Sequence, residues 1–163
     1  MAQRPEVPNF GELLGPAISS VPAEGTPTLL SGLERAAAGR YRGWAEALPE
    51  HADTLLACAR REDEIAERVR GLFPVDPATR EAVDKALPQA IEIYHRTFAP
   101  FAVLDQLYLQ SEAELQGARA WAGIAAGIED ASVKATLAGC TRLEEENSRA
   151  VRALLASRGS GRG

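Results

Sequence analysis

The chain has 163 residues, a net charge of −5 and an isoelectric point near 5.2, a balance that excludes nucleic acid and anionic membrane as main partners. Hydrophobic residues make up 45% of it and aromatics 6%; this Ala/Leu-rich composition disfavours sheets, and the length suits one helical domain with a real core. No apolar run is long enough to span a bilayer, and the opening Met1-Ala2-Gln3-Arg4-Pro5 lacks the apolar stretch of a secretory leader, so the cytoplasm is the expected compartment.

Residues 1–27 carry prolines at positions 5, 8, 16, 22 and 27 and little periodicity. They read as a flexible arm in which Asn9 to Leu14 could form a short turn docked on the rest. Four helical segments follow from apolar spacing in steps of three and four, the pattern of bundle-facing stripes. The first runs over about 29–48 with Leu30, Glu34, Ala37, Tyr41, Trp44 and Leu48 on its stripe, and Pro49 ends it. The second covers about 50–72, with Leu55, Cys58, Glu62, Ile65, Val69 and Leu72. Residues 73–99 form a long connection whose helical pieces, 78–87 and 89–98, are separated by Pro88 and should not join into one straight helix. The third segment, about 100–128, places Leu107, Ser111, Glu114, Gly117 and Trp121 on one stripe, and the fourth, about 131–156, places Leu137, Cys140, Glu144, Asn147 and Val151. Residues 157–163 are rich in Gly, Ser and Arg and read as a disordered tail.

The chain also repeats itself. Residues 54–72 align without a gap on residues 136–154, matching Thr54 to Thr136, Leu55 to Leu137, Cys58 to Cys140, Glu62 to Glu144 and Val69 to Val151. A weaker match sets Glu34, Tyr41 and Ala45 on Glu114, Trp121 and Ala125. Residues 28–156 are therefore expected to form two similar helical hairpins joined by the 73–99 crossover, an all-α four-helix bundle. Each helix puts one glutamate on its apolar seam: Glu34, Glu62, Glu114 and Glu144. Counted from the two short turns, they lie at axial levels within about 3 Å of one another. Four ionised carboxylates in a core are costly unless cations bridge them, protons neutralise them or basic side chains reach in. No Lys, Arg or His lies on the seams, which leaves metal or shared protons. The two cysteines read as buried thiols, with a disulfide as the minor alternative.

At these residues the chain resembles the ferritin-like di-metal carboxylate proteins, and the rubrerythrin branch most closely. The likeness rests on Glu34 with Tyr41 and Trp44-Ala45, on the run Ala59-Arg60-Arg61-Glu62-Asp63-Glu64-Ile65-Ala66, and on the doubled hairpin with aligned glutamates. It implies a ferritin-like four-helix bundle with a divalent metal centre (Fe, Mn or Mg) held by Glu34, Glu62, Glu114 and Glu144, and oxidase or peroxidase chemistry if iron binds. The departure is at the two histidine positions, where Ile65 and Asn147 stand. Isoleucine cannot ligate, and the Asn147 amide oxygen is the only remaining candidate there. The resulting all-oxygen set suits harder ions than a redox di-iron pair requires. The rival reading is a metal-free bundle serving as an interaction or assembly module, with Ala-rich surfaces that would suit a homodimer.

Overall fold

The computed structural model describes residues 4–160, the last two by backbone alone. Six α-helices and two 3₁₀ turns make up the described residues, with no strand. The helices are α1 (Phe10–Ser19), α2 (Thr26–Ala47), α3 (Ala52–Arg70), α4 (Pro77–Phe98), α5 (Val103–Ala126) and α6 (Ala131–Ser160). None is long and apolar enough to cross a membrane.

Local chemistry sets the ends. Pro49 forces Leu48 out of the helical region, to φ −129° and ψ 68°, so α2 stops there and α3 starts after one tight turn. Asp76 caps α4 by accepting from the Thr79 amide at 2.7 Å, with Pro77 in the first turn. Asp130 accepts from the Val133 amide at 2.9 Å at the start of α6.

Two expectations need correction. The 1–27 arm holds a full helix where at most a short docked turn was expected: Asn9 accepts from the Glu12 amide at 3.1 Å, and α1 follows, burying Phe10, Leu14 and Ala17. Nor does Pro88 split the crossover, since α4 is a single helix from Pro77 to Phe98. The reason is the same in both helices. Pro88 and Asp84, whose carbonyl loses its partner, are both exposed, as are Pro16 and Glu12 in α1. Water can satisfy a carbonyl freed on the solvent side, so the proline is tolerated there. Of the expected tail, residues 157–160 continue α6, while residues 161–163 lie outside the described part.

Helices α2 and α3 form one hairpin and α5 and α6 the other, and the hairpins join along α3 and α6. Helix α4 packs on α2 and runs back along the molecule, and α1 lies on α4. Two of the apolar clusters of the core are related by the repeat. Tyr41, Leu55, Cys58, Val151 and Leu154 sit in one. Their repeat mates Trp121, Leu137, Cys140, Val69 and Leu72 sit in the other. Equivalent residues thus exchange clusters, as two hairpins related by an approximate two-fold axis require. Neither cluster contains the seam glutamates, and neither cysteine is in a disulfide.

Candidate metal centre

Glu62, Glu114 and Glu144 are buried, at 0%, 2% and 1% exposure, and Glu34 is partly buried. One carboxylate oxygen from each of Glu34, Glu62 and Glu144 lies within 4.8 Å of the other two. The expected convergence therefore holds for three of the four acids at metal-binding range. Glu114 is turned aside by two donors to its Oε1, the Tyr41 hydroxyl at 2.5 Å and the Gln110 amide at 2.8 Å.

The donors follow the internal repeat. Trp121 Nε1 donates to Glu34 Oε1 at 2.9 Å, and Tyr41, its mate, donates to Glu114. The aromatic residue of each repeat's first helix thus orients the glutamate of the other repeat. The symmetry breaks at the former histidine positions. Asn147 donates its amide to Glu62 Oε1 at 2.7 Å and to the Cys58 carbonyl at 3.3 Å, while its own oxygen accepts from Arg61 Nη1 at 3.2 Å. With its oxygen engaged by Arg61 and its nitrogen facing Glu62, Asn147 stands as a donor that orients a carboxylate, not as a ligand. Ile65 offers nothing equivalent to Glu144 and is packed in the apolar cluster around Trp121.

Two oxygens are consequently left buried without a hydrogen bond, Glu62 Oε2 and Glu144 Oε1. Unpartnered buried acceptors carry the full desolvation penalty. Burial, followed by the neighbouring carboxylates Glu114 and Glu34, holds the Glu62 pKa well above the ordinary range. Burial, then Glu34 and Glu62, does the same for Glu144. Glu34 is also raised, by burial and then by Glu114, although the hydrogen bond from Trp121 pulls the other way. These are the marks of acids that must share protons or meet a cation.

Gly117 on α5 makes room for this arrangement. A Cβ there would meet Glu144 Oε1 at 2.6 Å and its Cδ at 3.1 Å. The expectation that no basic side chain approaches needs amending. Arg40, six residues beyond Glu34 on α2, acts on Glu62 and Glu114 from outside ion-pair distance and donates to Gln110 Oε1 at 3.1 Å. Burial lowers its pKa, and these neighbours counter the shift. Periodicity alone missed Arg40 because its stem leaves the seam and its head returns to it.

His51 accepts from Arg158 Nε at 3.1 Å near the α2–α3 turn, and His95 is exposed on α4, so neither is part of the cluster. Burial raises the Cys58 thiol to about 12 and the Cys140 thiol to about 11, so neither supplies a thiolate near neutral pH.

The chain matches no family profile, no curated protein sequence and no solved structure.

Proposed function

We propose that the protein is a ferritin-like bundle, akin to the rubrerythrin branch, that binds a divalent cation through Glu34, Glu62 and Glu144, with Glu114 at the edge of the site. One observation carries this reading: Glu62 Oε2 and Glu144 Oε1 are buried, unpartnered and close to a third carboxylate. The surrounding donors fit it. Trp121 and Asn147 each hold one oxygen of a ligand, which orients the other inward as outer-shell partners of metal sites do. An all-carboxylate set of this kind suits Mn²⁺, Mg²⁺ or Fe²⁺ over thiophilic ions. Bound iron would give the site oxidase or peroxidase chemistry. The chain's own residues would keep the acids at one level, exclude bulk water with the two apolar clusters, and release the protons held by the carboxyls as the cation enters. In the rival, a metal-free interaction module, shared protons alone would have to satisfy these two oxygens.

Protein purified without a metal-binding tag should carry divalent metal by mass spectrometry, and Glu62→Ala/Glu144→Ala should lose it. If metal-stripped wild type takes up Mn²⁺, Fe²⁺ and Mg²⁺ no better than that variant does, the reading fails. Gly117→Ala provides a second check. Replacing a helical glycine with alanine favours the helix by about 1 kcal/mol. The added methyl, however, would push Glu144 Oε1 out of place. Its melting temperature should stay within a few degrees of wild type while metal affinity falls about tenfold or more. Unchanged affinity in a folded Gly117→Ala protein would place the ion elsewhere.

A further inference from the structure

The two hairpins close along α3 and α6 but leave a gap between α2 and α5, roofed by α1 and α4. The gap holds a cavity of about 290 Å³, and the acid cluster opens onto it. Glu34, Glu114 and Glu144 line the cavity, while Glu62 does not reach its wall. Trp121 donates to Glu34 and Tyr41 to Glu114, so α2 and α5 run antiparallel and the residues before Glu34 face those after Trp121. The acids therefore divide the cavity into two limbs. On one side Ile18, Leu30 and Ile124 form an apolar limb that reaches Thr26, about 12 Å from the level of Glu34 at helical rise. On the other side lie Gln110 and Arg40.

The acids are not equally provided with donors. Glu114 Oε1 accepts from Tyr41 and Gln110, Glu62 Oε1 from Asn147, and Glu34 Oε1 from Trp121. Glu144 Oε1 is buried and has no hydrogen-bond partner. It stands 2.6 Å from where a Cβ on Gly117 would lie, and Gly117 lines the cavity. The missing side chain thus leaves this oxygen facing the open space. Arg40 does not serve it. The guanidinium is turned onto the rings of Tyr94 and Phe98, at 4.8 and 5.2 Å from their centres, and its Nη2 donates to Gln110.

We propose that the cavity binds a primary alkylammonium ion, its head on Glu144 and Glu34 and its alkyl chain in the apolar limb. An ammonium head is all donor, which suits an orphaned carboxylate oxygen with other acceptors beside it. Its N–H bonds to a buried carboxylate are charge-assisted and strong. The chain supplies what a metal ion lacks, since Ile18, Leu30 and Ile124 offer apolar surface that only a hydrocarbon can cover. Ammonium and metal ion share Glu34 and Glu144 and so exclude each other. The ammonium site rests on the same carboxyls as the metal reading but needs no metal.

The test uses metal-stripped full-length protein and isothermal titration near neutral pH, where an alkylamine is charged as lysine is. Octylamine should bind one to one, and more tightly than 1-octanol, which has the same chain and a neutral head. Octanoate should bind more weakly still; it probes the opposite charge, because Arg40 Nε is buried without a partner. Methylamine, with the head but no chain, should bind about tenfold or more weaker than octylamine. Glu144→Gln keeps the side-chain shape and removes the charge. It should weaken octylamine about tenfold or more, the scale of a charged hydrogen bond, and leave 1-octanol within about twofold. No octylamine binding at millimolar concentration would overturn the proposal. So would octanol or octanoate binding as tightly as octylamine, methylamine matching octylamine, or a Glu144→Gln protein that binds octylamine as wild type does. Because no metal is present, the outcome is separate from that of the metal-content measurement.

Discussion

Metal-free protein should lose stability as pH rises from 5 to 8, with a melting temperature lower by on the order of 5 °C at the upper end. The sign follows from the three raised acids. Glu34, Glu62 and Glu144 hold their protons in the fold above the ordinary carboxylate range, chiefly because of burial. In the unfolded chain they ionise near pH 4.5. Between those limits the native state binds more protons than the unfolded state, so each unit of pH lowers stability. Their contribution is complete below the unfolded pKa and is lost on the way up to the folded one. Asp76, an exposed cap whose pKa is depressed by its bonds to Thr79, acts in the opposite sense but only below this window. Glu62→Gln/Glu144→Gln should flatten the slope, since amides do not titrate. Saturating Mn²⁺ should reverse it in wild type, because the ion needs the deprotonated ligands and its stabilising increment grows with pH. A metal-free wild type whose melting temperature rises from pH 5 to 8 in parallel with the double Gln variant would refute the shared-proton cluster.

Trp121 should prove the most sensitive single position. It is fully buried among Ile65, Val69, Leu137 and Cys140, and its indole N–H orients Glu34. Trp121→Ala removes a large core side chain and the donor together. Loss of about 3–5 kcal/mol is expected, which is a melting temperature lower by about 10 °C or more. Trp121→Phe separates the two roles. The ring largely remains, so the cost should fall to about 1–3 kcal/mol, the price of a stranded acceptor. Metal affinity should drop as well, because Glu34 would lose its orienting partner. By the repeat, Tyr41→Phe should behave similarly toward Glu114, softened by the second donor Gln110. Chemical denaturation of all three variants, with and without Mn²⁺, tests this. Trp121→Phe matching wild type in both stability and affinity would show that the indole bond does nothing beyond filling space.

Helices α2, α3, α5 and α6 were legible because each buries one stripe at three-four spacing, and a stripe is a one-dimensional property. Their ends were legible to within a few residues at Pro49 and less so at the start of α2, where Thr26 and Pro27 extend the helix beyond the first apolar position. Helix α1 was obscured by Pro16 and by the prolines on either side of it. A proline's effect depends on whether the carbonyl four residues back faces water or protein, and that is decided by neighbours distant in the chain. Pro88 misled for the same reason.

The seam glutamates were found because the repeat aligns them and helical rise converts residue counts into height. Their division into a trio and an outlier was not accessible that way. It depends on which donors reach each carboxyl, and Tyr41, Trp121 and Asn147 all reach across from another helix at sequence separations of 73, 87 and 85 residues. The same holds for Asn147, whose residue type allowed a ligand until Arg61 took its oxygen and Glu62 its nitrogen.

By itself, then, the order of residues determined four amphipathic rods, their pairing by short turns and the height of one acid on each. Those follow from periodicity, proline and rise per residue, all of them local. Packing alone decided that α2 and α5 stand apart under α1 and α4, that Arg40 comes back towards the acids, and that two carboxylate oxygens end without partners. Each of those depends on side-chain heads meeting across helices, and a head's position is set by the surfaces around it as well as by its own place on a stripe.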